Sequence, residues 1–374
     1  MRRPRWPQSL RRDRVDGHRV ILLTWNAHGH GGVPRTVVNM ANYLARDREV
    51  EILSVKGKAR RSTYPIDESV RVTFLADESS EALREVLLDR RPSVVVTSRP
   101  VLHQHAVQVA EGRHVLIGQE HNNFETRTAN PEIRSRLEEA LHGLDAFTVL
   151  TDTDARDYRA TWPDARVQIS VIRNALPFDV AGSLPPLENP VIVAAGRLVP
   201  EKGFDRLIEA FAVVAADHPE WELHVAGMGP AEQDLRRLGD ELGLGDRLRL
   251  LGHVDDLDTR MRSAAFLATA SHYEGFAMVL IEAMSQGLPT LAYDCPRGPR
   301  EVIRNGETGF LVPDGDSEAY VAALRELVED VDLRRRMGAA ALDQATDYTI
   351  ERIGDQWDEL IDRLVDEHND RSRA

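Results

Sequence analysis

The sequence predicts an α/β protein built from two doubly wound, Rossmann-like domains, and three observations carry that expectation. Short apolar runs alternate with stretches of helical periodicity, the order that builds parallel sheets covered by helices. The alternation restarts after an interval at 179–190 containing Pro185, Pro186 and Pro190, a linker composition. The length of 374 residues exceeds one ordinary core. The expected division is a basic arm at 1–16, a first domain at 17–180, a linker at 181–190, a second domain at 191–346 and a closing segment at 347–374.

In the first half, Arg19 to Thr24 (RVILLT) has the continuous apolar character of a buried parallel strand. A glycine turn follows at His28-Gly29-His30-Gly31-Gly32, then an amphipathic helix from about Pro34 to Leu44. Strand, glycine turn and helix make the unit that brings backbone close to a phosphate. Neither Gly-Lys-Ser/Thr nor G-x-G-x-x-G is present, so a dinucleotide-dependent dehydrogenase is poorly supported. A tight turn needing positive φ accounts for one glycine better than for three. Further strands are expected near 50–55, 70–75, 94–97, 115–118, 146–150 and 167–172, with helices near 80–89 and 131–141. Polar residues directly after a parallel strand sit where open α/β sheets bind ligands. Gln119-Glu120-His121-Asn122-Asn123 is such a segment, which ranks His121 above His103, His105 and His218 as a site residue, although a single histidine is more often structural.

The second half opens with a strand at Val191 to Ala195 and the turn Gly196-Arg197-Leu198-Val199-Pro200-Glu201-Lys202-Gly203. The next helix shows Leu207, Ile208, Phe211 and Val214 on one face. Two cations beside a helix N-terminus repel its dipole unless an anion binds both. A diphosphate would satisfy Arg197 and Lys202 together; surface pairs with Glu201 or Asp205 are the plainer alternative. Strands are expected near 222–227, 248–252, 266–269, 290–293 and 310–312, and helices near 317–337 and 350–365. Ile353, Trp357, Leu360 and Leu364 form a stripe expected to pack on the first half.

The most informative stretch is Ser271 to Pro289, SHYEGFAMVLIEAMSQGLP. A helix is expected from Phe276 or Ala277, leaving the N–H groups of Phe276, Ala277 and Met278 without intrahelical acceptors. Such N–H groups with the helix dipole bind anions and hydroxyls. Glu274 precedes them and Glu282 lies two turns on, an arrangement suited to a ligand with phosphates and sugar hydroxyls. The alternative is a buried helix with one capping acid and one acid paired to protein.

Composition narrows the function classes. A net charge of −14 argues against general nucleic-acid binding. Residues 1–16 are the exception, with six arginines (Arg2, Arg3, Arg5, Arg11, Arg12, Arg14) and Trp6. A solvated arm is expected there, with contact to an anionic membrane surface as the alternative. No stretch approaches the ~20 apolar residues of a membrane span, and the first residues hold no signal-type apolar region. The single cysteine, Cys295, fits the cytoplasm, including its membrane face if the arm binds there. No Cys/His cluster has metal-ligand spacing, so no metal and no cofactor are expected.

On these residues the chain resembles glycosyltransferase family 4, retaining sugar-nucleotide transferases of GT-B fold. The resemblance spans about 18–365 and rests on Gly31-Gly32, GRLVPEKGFDRLIEAF at 196–211, YEGFAMVLIEAMSQGLP at 273–289 and GETGFLV at 306–312. It implies a donor held in a cleft between the domains, mostly by the second. Arg197 and Lys202 would neutralise the diphosphate, in place of a metal. Glu282 would hold the ribose, and Glu274 with the N–H groups of Phe276, Ala277 and Met278 would meet donor sugar and phosphate. Gly31 and Gly32 would admit the phosphates to first-domain backbone, and His121 would lie near the donor sugar. The helix around Trp357 would cross back to the first domain. Ala277 stands where the family often has glycine, as in a subset that shares the Asp294-to-Pro299 segment and often builds surface polysaccharides or cell-wall polymers from UDP-sugars. The function implied is retaining, metal-independent transfer of a hexose or N-acetylhexosamine to a hydroxyl of a glycan, lipid-linked or polymer acceptor. A nucleotide-sugar epimerase of similar fold and a non-catalytic nucleotide-sugar-binding protein are the alternatives.

Overall fold

The computed structural model describes residues 19–57, 62–110 and 112–373. The basic arm at 1–16, with its expected solvation or membrane contact, lies outside the described residues. Among the described residues no helix is long and apolar enough to cross a membrane.

The chain divides into two units, 1–175 with 350–374, and 176–349. The first holds seven parallel strands: β1 (Arg19–Thr24), β2 (Val50–Ser54), β3 (Arg71–Phe74), β4 (Ser93–Thr97), β5 (Val115–Gln119), β6 (Ala146–Val149) and β7 (Gln168–Val171). Their order is β3-β2-β1-β4-β5-β6-β7. β1 pairs in parallel on both sides, Val20 opposite Val50 and Val94. It is buried along its whole length, which is why its sequence is continuously apolar rather than alternating. Val20 and Leu22 enter the core on one face, Ile21 and Leu23 that on the other.

The second unit repeats the plan with β8 (Val191–Ala195), β9 (Glu222–Ala226), β10 (Leu248–Gly252), β11 (Phe266–Thr269), β12 (Thr290–Asp294) and β13 (Gly309–Pro313). Their order is β10-β9-β8-β11-β12-β13, all parallel. In both sheets the strand order reverses beside the first strand, so the carboxyl ends around β1/β4 and β8/β11 are the ligand positions of this architecture. The chain thus holds the two doubly wound, Rossmann-like units expected from its sequence.

The final helix, Ile350–Arg373, belongs to the first unit. Ile353, Trp357, Leu360 and Leu364 sit in the same core as Val20 and Leu22, each contributing about 1.5–3 kcal/mol of burial. The helix Gly32–Leu44 receives it closely. A Cβ on Gly354 would lie 2.3 Å from the Tyr43 ring, Tyr43 Oη donates to Asp355 at 2.7 Å, and Arg48 reaches Asp358 and Asp362 at 3.0 and 2.6 Å.

Several expectations are corrected. The proline-rich interval packs within the second unit, where Arg334 Nε donates to Leu187 O at 2.9 Å. The units therefore divide at 175/176 and 349/350. The expected helix at 317–337 is two helices, Ser317–Glu329 and Val331–Ala345. Asp330 separates them by accepting from Leu333 N at 2.7 Å, an N-cap that starts a new helix. The helix Asp152–Thr161 was not anticipated because its sequence is largely polar; Thr151 caps it by accepting from Asp154 N at 3.0 Å.

Candidate functional site

In the second unit, glycines fix the turn after β8. Gly227 has φ 147°, and a Cβ there would lie 1.8 Å from Gly196 O; one on Gly203, at φ 58°, would lie 1.9 Å from Ala270 O. The turn after β8 is thus pressed against the ends of β9 and β11 at distances only glycine allows. Gly196 N donates to Ala226 O at 3.0 Å and His272 N to Glu201 O at 2.9 Å. Arg197 leaves this turn exposed, and Lys202 ends the short 3₁₀ turn Pro200–Lys202.

Lys202 and Glu274 are 72 positions apart in sequence and meet here: Lys202 Nζ lies 2.6 Å from Glu274 Oε1, the side chains 24% and 10% exposed. Ser271 Oγ donates to the same oxygen at 2.7 Å, and Glu274 N donates to Pro296 O at 3.0 Å. The plainer expectation for Lys202, pairing with Glu201 or Asp205, is replaced by this cross-loop pair. Arg206 braces the strand end beneath, with Nη1 3.1 Å from Asp314 and the guanidinium carbon 4.2 Å from the Tyr293 ring centroid. Gly298, at φ 78°, sits where a Cβ would be 3.0 Å from both Glu274 Cβ and Phe276 C, so the 294–299 segment packs directly on the acidic loop. Cys295 is buried there; burial, then the nearby Glu274 carboxylate, pushes its thiol up to about 12, and it stays protonated.

The helix starts later than expected, at Met278–Ser285. Phe276 and Ala277 precede it, and Ala277 is its N-cap at φ 58°, ψ 59°, a left-handed conformation that costs a side-chain-bearing residue about 1–2 kcal/mol. The first helical N–H groups are therefore those of Met278 and Val279, since Leu280 N already donates to Ala277 O at 2.9 Å. Glu282 is buried on this helix at 6% exposure. The second unit thus brings together Lys202, Glu274, Phe276, Ala277 and a helix start, with Arg197 on the turn beside them.

In the first unit, the glycine turn is open: a Cβ on Gly31 or Gly32 would meet nothing within 4 Å. Of Gly29, Gly31 and Gly32 only Gly31 has positive φ, at 115°. Its N–H lies 3.1 Å from Tyr64 Oη. His121 follows β5 at its carboxyl end, and both ring nitrogens are shut off from solvent without a hydrogen-bond partner. Burial, then the Arg127 and Arg99 charges, lower its pKa to about 3, so the ring is neutral. His103 is deeply buried, its Nδ1 2.5 Å from Thr97 Oγ1, and His218 pairs with Glu329 at 3.2 Å; both are structural.

Sequence reasoning passed over Ser271, Arg206 and the Glu120–Arg127 pair. Ser271 lay inside the stretch singled out, three residues before Glu274, and its spacing was the available signal. Nothing in local sequence ties Arg206 to Ala270 O or Arg127 back to Glu120.

Residues 178–344 match the family model for glycosyl transferases group 1. The chain is 31% identical to an exopolysaccharide phosphotransferase of Streptomyces coelicolor over 94% of its own length, but spans only 41% of that relative. It is 26% identical to the amylovoran biosynthesis glycosyltransferase AmsD of Erwinia amylovora, covering 92% of this chain and 99% of that one. The crystal structure of an S. aureus TarM mutant with fondaparinux, α-GlcNAc-glycerol and UDP shares the fold, with a TM-score of 0.80 at 14% identity over 92% of this chain and 99% of that one. Residues 178–344, nearly the whole second unit, thus match the model for glycosyl transferases group 1, and the chain has the fold of solved GT-B structures and is similar over most of its length to glycosyltransferases.

Proposed function

We propose that the protein is a retaining glycosyltransferase that takes a nucleoside-diphosphate sugar, UDP-linked, and transfers the sugar to a hydroxyl of a glycan, lipid-linked or cell-wall-polymer acceptor. The observation that carries this is the Lys202–Glu274–Ser271 constellation ahead of an uncapped helix, with Arg197 exposed on the adjoining turn. A lysine beside a helix start, with an arginine on the adjoining turn, is the chemistry that receives a diphosphate. The TarM structure, solved with UDP and α-GlcNAc-glycerol, and the amylovoran biosynthesis glycosyltransferase AmsD support the choice of donor and acceptor class.

In the proposed reaction the bond between anomeric carbon and phosphate oxygen breaks while the acceptor oxygen bonds to that carbon on the face the leaving group vacates. The acceptor proton passes to the departing diphosphate. Negative charge accumulates on that diphosphate, and fixed charges aimed at it lower the barrier. Lys202 and Arg197 supply them, so the reaction needs no metal or cofactor. Glu282 holds the ribose hydroxyls. Glu274, preset by Lys202 and Ser271, positions the sugar and is not a nucleophile. His121 is assigned to the sugar undergoing transfer, and the open Gly31-Gly32 backbone to its phosphates.

The test is UDP release from a panel of UDP-sugars with glycan and glycerol-phosphate acceptors, with and without EDTA. Acceptor-dependent release unaffected by EDTA, with retained anomeric configuration in the product, is expected. Donor isomerised without acceptor would instead establish an epimerase, and no thermal stabilisation by any nucleotide sugar would remove the donor site altogether.

A further inference from the structure

The buried charge pair in the first unit does something that its stability alone does not explain. Glu120 is 1% exposed and takes Arg127 in a two-pronged contact, Nε to Oε2 at 2.8 Å and Nη2 to Oε1 at 2.6 Å. A buried ion pair is a poor source of net stability, because desolvating both charges offsets their attraction. What the carboxylate supplies is an acceptor with several lone pairs. Its Oε1 also accepts the backbone N–H groups of His121 and Asn122, each at 2.9 Å. The neighbours complete the pattern. Glu120 N donates to Thr148 O at 2.9 Å, Asn123 N to Asn122 Oδ1 at 3.0 Å and Phe124 N to Asp154 Oδ1 at 3.0 Å. Five consecutive N–H groups, 120 to 124, are therefore each anchored. The side chain left over is His121, whose two sheltered ring nitrogens have no partner.

We infer that Glu120 and Arg127 are positioning residues: they clamp the loop after β5 so that the His121 ring is held ready for a ligand hydroxyl. This rests on the transferase reading above and deepens it. Neither residue touches the ligand. Glu120 sets the backbone of His121, and Arg127 holds the Glu120 carboxylate in the orientation that does so. The low pKa of His121 fits a neutral ring presented to a hydroxyl, which it meets as donor or acceptor.

The test uses kinetics of the full chain. Glu120→Asp keeps a charge facing Arg127 but draws the acceptor one methylene away from the two N–H groups. Expected is a loss of kcat of about 10- to 100-fold, the scale of a misplaced group, with UDP affinity unchanged. Adding His121→Ala to Glu120→Asp should cost little more than His121→Ala alone, because both remove the same contribution. Glu120→Gln with Arg127→Met strands no charge, so it should fold, but without the guanidinium nothing orients the side-chain oxygen toward the two N–H groups, and its kcat should fall as in Glu120→Asp. Normal kcat in Glu120→Asp, losses that multiply with His121→Ala, or normal kcat in the folded Glu120→Gln/Arg127→Met protein would each overturn the inference. Full turnover in His121→Ala would overturn it together with the role given to His121, while loss of activity in Lys202→Ala would leave the donor site of the second unit standing.

Discussion

Replacing Lys202 by alanine separates the catalytic reading of the second unit from a structural one. Lys202 Nζ is 2.6 Å from Glu274 Oε1, and its removal takes a positive charge from that carboxylate, to which Ser271 Oγ still donates at 2.7 Å. Breaking a fully buried pair costs about 3–5 kcal/mol, and exposed pairs contribute under ~1 kcal/mol. With side chains 24% and 10% exposed, the expected loss of stability lies between, about 1–3 kcal/mol. The effect on turnover is separate. A unit charge about 4 Å from the developing phosphate charge is worth roughly 4 kcal/mol at an effective dielectric near 20. A fall in kcat of about 10²–10³, or ~2.7–4 kcal/mol, is therefore expected, the loss seen when one oxyanion donor is removed. The assay is initial-rate UDP release at saturating donor, with thermal melts alongside. The double variant Lys202→Ala/Glu274→Gln also removes the carboxylate charge that Lys202 faced, so its melting temperature should recover while kcat stays low. Near-normal turnover in Lys202→Ala, or recovery of turnover together with stability in the double variant, would refute the assignment of Lys202 to the diphosphate.

Three further outcomes are expected. Glu282→Ala should weaken UDP binding by about 1.5–3 kcal/mol, as when a charged hydrogen bond is lost; calorimetry showing unchanged affinity removes Glu282 from the ribose. Ala277→Gly should raise stability by up to about 1 kcal/mol, since Ala277 holds φ 58° and glycine relieves the left-handed strain while losing backbone entropy; a lower melting temperature contradicts it. Glu51 is fully buried and, although burial raises its pKa, hydrogen bonds from Arg90 and Thr73 and the Arg19 charge hold it below the ordinary value of 4.5. Its contribution to stability is present above that value and lost as pH falls through the lower folded one. The gap in melting temperature between wild type and Glu51→Gln should accordingly close on acidification below pH 4.5, and a constant gap would disprove the linkage.

Sequence by itself determined the two parallel α/β halves, because a strand buried on both faces is apolar along its middle, as Arg19–Thr24 and Val191–Ala195 are, with polar residues only at the two ends of the first, Arg19 and Thr24. It determined the returning helix, because Ile353, Trp357, Leu360 and Leu364 fall on one helical stripe. It also marked His121, because polar residues just after a parallel strand stand where such sheets bind ligands, and Arg197, Lys202 and Glu274, because they flank expected helix starts that attract anions. Only the tertiary structure decided which of these meet. Lys202 and Glu274 are brought together by glycines at 203 and 298 whose missing Cβ atoms let one loop press on another, and a close approach of that kind has no local periodicity to announce it. The same holds for the Glu120–Arg127 clamp, whose geometry depends on a five-residue helix, Phe124–Thr128, turning the guanidinium back. It holds too for Ala277, whose left-handed backbone is imposed by its surroundings against the preference of its own side chain.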